Sequence, residues 1–155
     1  EKSMAVEVVM EANKIRDAVL KKNYKYIINK FPSKVLRTLG LKRKVLIENT
    51  EKIMKNIISH GLVYEEYIIK NPTAVYNFGD KSLVFVPIKM VIKYRLSKVV
   101  SENYLIAIKY NSDDSWYFID GVSINSREIF NSYFKDAPDS VVLPEQKNTI
   151  VDMEG

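Results

Sequence analysis

The chain contains no cysteine and only one histidine, His60, among its 155 residues. The lack of cysteine excludes disulfides, thiol nucleophiles and zinc–thiolate centres. One histidine cannot form a multi-histidine metal site within a single chain, and no D-x-D-x-D-G calcium loop is present. We therefore predict neither a metal site nor a cofactor.

Glycine and long apolar runs are also scarce. Five glycines support little loop chemistry, and the phosphate-binding patterns GxxxxGK[ST] and GxGxxG and the nucleophile pattern GxSxG are absent. No window approaches the roughly 18 uninterrupted apolar residues of a membrane span, so no span is expected. The first residues are charged at close intervals, unlike a signal peptide, and the sequence predicts no particular compartment.

Basic residues are concentrated in the first half of the chain. Residues 21–44 contain nine lysines and arginines and no acidic residue. Such a segment could attract nucleic acid, anionic lipid or an acidic protein. Scattered lysines without glycine–arginine clustering are more typical of a solvated helix face, and no RNP-type motif occurs. We therefore do not expect nucleic-acid binding.

The first 60 residues have helical periodicity. Apolar residues recur every three or four positions at Val8, Ala12, Ile15 and Val19. A second helical segment starts near Asn23, is broken by Pro32 and is expected to end at Gly40. A third is predicted over residues 42–59, with an inner stripe of Val45, Leu46, Asn49, Ile53, Ile57 and Ile58.

After Gly61 the periodicity changes to that of strands. LVYEEYIIK and TAVYNFGD read as strands, and SLVFVPIKMVIKYRL alternates clearly, with Val84 to Tyr94 at even positions sharing one face. Pro87 should mark an edge or a bulge. SENYLIAIKY is the expected partner strand, reached through a turn near Ser97 to Asn103. SWYFIDG and a short helix follow.

Helices followed by strands favour an α+β fold in which N-terminal helices pack on the concave face of a curved antiparallel sheet. The length suits one domain, predicted over residues 1–145, with residues 146–155 as a frayed tail.

The run Asp113-Asp114-Ser115-Trp116-Tyr117-Phe118-Ile119-Asp120 resembles a near-terminal strand of the nuclear transport factor 2-like superfamily, which has a cystatin-like cone fold. The element order is similar over most of the chain, whereas the final helix and the PDSVVLP tail depart from the usual pattern. The resemblance implies a pocket in the mouth of the cone, and homodimerisation through the outer sheet face. The superfamily includes isomerases, dehydratases and cyclases, and also binding, delivery and immunity proteins, so fold alone does not give function.

Two residues are candidates for acid–base chemistry. His60 lies at the end of the third helix, where an imidazole that caps carbonyl groups is the simpler interpretation. Asp120 precedes Gly121, where a side-chain bond to the next backbone amides is the simpler interpretation. Ten tyrosines suit a pocket lining or half-exposed sheet positions; those on predicted strands are Tyr64, Tyr67, Tyr94, Tyr104 and Tyr110.

The sequence therefore predicts a non-catalytic binding module that holds a small apolar or amphipathic ligand, or a segment of a partner protein, in the cone. The predicted ligand-binding residues are Tyr94, Tyr104, Trp116, Phe118 and Asp120. One alternative is a small lyase or isomerase that uses Asp120 or His60 with a tyrosine donor. Another is a protein-interaction module of the immunity or accessory kind.

Overall fold

A computed structural model describes residues 3–152. Within these residues four helices come first: α1 Met4–Leu20, α2 Tyr24–Asn29, α3 Ser33–Leu39 and α4 Arg43–Ser59. The second half contains β1 Leu62–Ile69, β2 Ala74–Phe78, β3 Lys81–Tyr94, β4 Ser97–Tyr110, β5 Trp116–Asp120, a 3₁₀ turn at Gly121–Ser123, α5 Arg127–Tyr133 and β6 Lys147–Asp152. This order confirms the predicted α+β class.

The sheet is antiparallel and strongly curled, in the form of a half-barrel. β3 and β4 pair along their whole length, from Lys81 opposite Tyr110 to Tyr94 opposite Ser97. β2 and β1 share the other edge of β3, and β5 and β6 share the other edge of β4. Each long strand therefore has two short neighbours in succession, with a gap between them.

The sheet has a core on both faces, because side chains alternate along each strand. On one face, called here the α1 face, even-numbered residues of β3 pack against α1; the buried members are Val8, Ala12, Ile15, Tyr67, Val84, Val86, Ile88, Met90, Leu105, Ala107, Trp116 and Phe118. On the other, the α5 face, the buried members include Val35, Leu83, Phe85, Tyr104, Ile106, Ile108, Tyr110, Ile119 and Phe130. The predicted alternation of β3 is confirmed.

The predicted helix boundaries at Pro32 and Gly40 are also confirmed. Pro32 is the N-cap of α3, and Gly40 ends that helix with a φ of 68°, a left-handed conformation that glycine adopts readily. The carbonyl of Lys30 accepts a 2.8 Å hydrogen bond from the backbone N–H of Phe118. The connection between α2 and α3 thus covers part of the free edge of β5.

α4 differs from its prediction in the way it packs. Its ends agree, but no residue of α4 is buried, and the predicted inner positions Val45 and Ile53 are 48% and 57% exposed. Of the predicted stripe, Leu46, Ile57 and Ile58 are half-buried, and Ile47, Thr50 and Met54 lie on the same side. Because α4 packs on α2 and the neighbouring β1 rather than across the sheet, its apolar stripe is only partly covered.

Pro87 lies in an inner strand, in the gap between β1 and β2, so the predicted edge position holds on that side of β3, whereas the pairing with β4 is regular and has no bulge there. It pairs with Tyr104 of β4, and its carbonyl accepts from the N–H of Lys70, just after β1. The missing N–H of the proline therefore points toward the connection between β1 and β2, where no ladder partner is required.

The β3–β4 turn was predicted near Ser97 to Asn103, and this position is wrong. Those residues belong to β4, and the turn consists of Arg95 and Leu96 alone. Arg95 has a φ of 56°, a conformation uncommon for residues other than glycine, asparagine and aspartate. Two-residue hairpins usually carry such residues, so the sequence lacks the expected signal.

The C-terminal segment forms a strand where a frayed tail was expected. Lys147–Asp152 pairs with Ser97–Glu102 of β4. Before it, the side-chain amide of Gln146 donates to the carbonyl of Gly121 at 2.6 Å. The remainder of the predicted tail, residues 153–155, lies outside the described residues.

Candidate functional site

Polar side chains cross the α1 face on a diagonal. Ser101 lies opposite Met90, Asn103 lies opposite Ile88, and Asp120 lies opposite Leu105. Residues opposite each other on antiparallel strands share a face, and diagonal neighbours are about 7–8 Å apart. The three polar groups are therefore contiguous on a face that is otherwise apolar.

Burial makes this diagonal unusual. Among the described residues, the buried polar or charged ones are Lys81, Ser101 and Asn103, so two of the three belong to it. The side-chain oxygen of Asn103 accepts from the backbone N–H of Tyr104 at 2.8 Å, which leaves its amide hydrogens as donors. Buried polar groups are costly unless they are hydrogen-bonded, so this arrangement is a functional candidate.

A bulge in β1 brings two tyrosines to the same face. The register of β1 against β3 shifts between Tyr64 and Glu66, so Tyr64 lies opposite Ile92 and Tyr67 lies opposite Met90. Although they are three positions apart, both pack with the α1-face core. Bulges re-aim side chains and are frequent beside active sites. Glu65 and Glu66, although adjacent in the strand, are both exposed for the same reason.

Asp120 is solvent-accessible, yet protein atoms surround it closely. Desolvation by burial raises the pKa of Asp120, opposed by the 2.9 Å hydrogen bond that its carboxylate accepts from the N–H of Val122. Burial is also the main cause that raises the pKa of Tyr64 and of Tyr67, and the charge of Asp120 adds to both. The carboxylate and the two hydroxyl groups therefore lie within electrostatic reach of one another.

Tyr24, at the start of α2, adds a third hydroxyl. That oxygen is buried and has no hydrogen-bond partner among the described residues. The charge of a Tyr24 phenolate would raise the pKa of Tyr64, so the two side chains are close. A buried hydroxyl without a partner costs about 1–3 kcal/mol. Tyr24, Tyr64 and Tyr67, called here the tyrosine cluster, thus include one hydroxyl with unused hydrogen-bonding capacity.

Replacing Asp120 with asparagine is expected to raise the melting temperature at pH 7. The folded pKa of Asp120 lies above its ordinary value, so the native state binds its proton more tightly and loses stability as pH rises through that pKa. Asparagine does not titrate and keeps an oxygen for the N–H of Val122. The check is circular dichroism melting of both proteins from pH 3 to pH 7. The higher melting temperature of the variant should disappear near pH ~3, where Asp120 of the wild type is protonated and uncharged. A variant that is less stable than the wild type at pH 7 would contradict a raised pKa for Asp120.

The structure does not bring all the predicted ligand-binding residues together. Trp116 and Phe118 are buried in the α1-face core, and the indole N–H of Trp116 donates to Glu7 at 2.8 Å. Tyr104 lies on the opposite face and donates to the carbonyl of Ile124 at 3.0 Å. Tyr94 is half-buried near the hairpin turn, under the guanidinium of Arg95. Of that set, Asp120 alone belongs to the polar diagonal.

His60 is the C-cap of α4, and a ring nitrogen lies 2.7 Å from the carbonyl of Asn56. This is the capping interaction that the sequence suggested. The side chain is exposed, and no ion pair between it and a carboxylate occurs in the described part of the chain. The site therefore does not include the histidine.

The comparisons with known proteins give no family for this chain. No family model, no curated protein and no solved structure matches it. The assignment of residues therefore depends on the geometry described above. Within residues 3–152, no group of three His, Asp or Glu side chains is placed to hold a metal ion, and no helix has both the length and the apolar character to cross a membrane.

Proposed function

We propose that the protein is a binding domain with a nuclear transport factor 2-like cone, whose α1 face holds a small amphipathic molecule. The observation that carries the proposal is the contiguous diagonal of Ser101, Asn103 and Asp120 on an otherwise apolar sheet face, beside the tyrosine cluster. Most ligand sites are apolar and place a few polar groups so that they converge on the ligand, and the α1 face combines these two kinds of surface.

The groups present indicate the ligand's chemistry. Asp120 supplies a hydrogen-bond acceptor and negative charge, so it would take a hydroxyl or amine head group. The rings of the tyrosine cluster and the side chains of Met90 and Ile92 supply apolar surface for the remainder. An aromatic alcohol or amine has both parts, whereas a carboxylate would be repelled by Asp120.

Titration of the ¹⁵N-labelled protein with 2-phenylethanol and with 2-phenylethylamine tests this proposal. Amide chemical shifts are expected to change at Tyr67, Ser101, Asn103 and Asp120. Asp120→Asn should weaken binding of the amine about tenfold, because it removes a charge-assisted hydrogen bond. Tyr67→Phe should weaken binding of the alcohol.

Tyr104→Phe is the matched control, because its hydroxyl lies on the α5 face and donates to Ile124. It should leave both affinities unchanged while lowering stability modestly. Shift changes that cluster away from β4 and β5, or an Asp120→Asn variant that binds the amine as tightly as the wild type, would refute a ligand site on the α1 face.

Proton transfer is a second candidate function, supported by a carboxyl group whose pKa is raised by burial near two tyrosine hydroxyls. In this scheme Asp120 takes a proton from carbon next to a ketone, and a tyrosine hydroxyl hydrogen-bonds the resulting enolate oxygen. The test is exchange of the α-hydrogens of cyclopentanone for deuterium in D₂O, followed by NMR. Exchange by the wild type that Asp120→Asn abolishes would support it, and exchange that survives in the variant would exclude Asp120 as the base.

A further inference from the structure

A separate cavity lies on the other side of the sheet, between α3, the start of β3 and the end of α5. Its volume is about 210 Å³, and its charged lining consists of Lys34, Asp80, Lys81, Lys135 and Asp136. This is smaller than the cavities of drug-sized ligands, roughly 300–1,000 Å³, and suits a molecule of one ring or a few carbons.

Tyr110 places an unused donor at this cavity. The residue is 6% exposed, and its hydroxyl is buried with no hydrogen-bond partner among residues 3–152. Lys34 lies above its ring, with Nζ 4.5 Å from the ring centre. Burial, followed by the charge of Asp80, raises the pKa of Tyr110 to about 12, so the hydroxyl keeps its proton and can donate it.

Lys81 provides a second unused donor. Its side chain is 9% exposed, and Nζ lies 2.8 Å from Asp136 and 3.2 Å from Asp80. An ammonium group has three N–H donors, so one remains beyond these two carboxylates, on an Nζ that also lies 5.0 Å from the ring centre of Phe78. The position of Asp136 beside Lys81 requires a glycine at residue 79, because a Cβ there would lie 2.1 Å from Oδ2 of Asp136.

The charge balance of the cavity favours an anion. Lys34 and Lys81 both bind the carboxylate of Asp80. These contacts lower the pKa of Asp80 to about 2, so it stays ionised. Lys135 adds a third amine, which forms no ion pair in the described residues. Three cations thus face two anions, and the positive charge of Arg37 also acts on Tyr110.

We propose that this cavity binds the carboxylate of a small organic acid, with the Tyr110 hydroxyl and the free N–H of Lys81 as its donors. Each carboxylate oxygen accepts hydrogen bonds, so one such group satisfies both buried donors at once. Val35, Tyr133 and Phe134 form the apolar part of the lining and would contact the hydrocarbon portion. The site is distinct from the α1-face site, because Tyr110 and Phe134 belong to the α5-face core.

Benzoate, with its uncharged analogue benzyl alcohol, is the probe pair for this site. Isothermal titration calorimetry should show saturable binding of benzoate to the wild type and none of benzyl alcohol. Tyr110→Phe should weaken benzoate binding about tenfold or more, because a hydrogen bond to a charged group is lost. This variant should fold normally, since the hydroxyl it removes has no hydrogen-bond partner among the described residues.

Tyr94→Phe is the control, since it makes the same change near the hairpin turn, on the α1 face. It should bind benzoate as the wild type does, and amide shifts caused by benzoate should appear at Lys81 and Tyr110 and not at Asp120. Failure of the wild type to bind benzoate, equal binding by Tyr110→Phe, or equal affinity for benzyl alcohol would overturn the proposal. Inorganic phosphate that bound as tightly as benzoate would overturn the assignment to an organic acid. None of these outcomes bears on Asp120, so the two sites are tested separately.

Discussion

Phe85→Ala is expected to lower the free energy of unfolding by about 4 kcal/mol. Phe85 is fully buried in the middle of β3, on the α5 face. Its ring meets Tyr76 edge-on at 5.8 Å and Tyr104 at 5.4 Å. Truncation removes both aromatic contacts and leaves a cavity that the paired strands β2, β3 and β4 cannot close.

Chemical denaturation followed by circular dichroism measures this change, and the melting temperature should fall by about 10 °C. Leu96→Ala is the control, because Leu96 is 74% exposed at the hairpin turn and should change stability by less than about 0.5 kcal/mol. If the two substitutions cost the same, the α5-face core is not packed as described.

The parts of the fold that the sequence predicts are those set by local signals. The two-residue period of β3 assigns Val84 and Phe85 to opposite faces of the sheet without any knowledge of the partner strands. Pro32 interrupts the helix because it has no backbone N–H to donate, and Gly40 ends the helix because it readily adopts a positive φ. Each effect is a property of a single residue and can be read from the sequence. α4 shows the limit of such signals, since an amphipathic pattern does not reveal whether anything covers the apolar stripe.

The candidate site depends on register, which is a long-range property. Asp120 was identified from its place at the end of a strand, and the abundance of tyrosine suggested a lining. The bulge at Glu65 nevertheless decides that Tyr64 and Tyr67 share a face, and pairing with Ile88 and Met90 decides that Asn103 and Ser101 join them. The prediction of Tyr104 as a ligand-binding residue fails for the same reason, because its even-numbered position in SENYLIAIKY reveals alternation but not which face holds the site.

Gly121→Ala is expected to destabilise the protein by about 3 kcal/mol, the upper range for overpacking. A Cβ at this position would lie 2.5 Å from the carbonyl oxygen of Tyr104 and 2.8 Å from two carbons of its ring. The ring cannot swing aside easily, since Tyr104 is 1% exposed and its hydroxyl donates to Ile124. The 3₁₀ turn would have to move away from β4 instead.

That movement should also disturb the candidate site, because the turn supplies the N–H of Val122 that holds the Asp120 carboxylate. Chemical denaturation gives the cost in stability, and the amide shifts of Asp120 and Val122 report the displacement. Gly40→Ala is the comparison: its φ of 68° is unfavourable for alanine, but nothing lies within 4 Å of the new Cβ. We expect it to cost only about 1 kcal/mol. A Gly121→Ala variant no less stable than Gly40→Ala would mean that the turn does not pack closely on Tyr104.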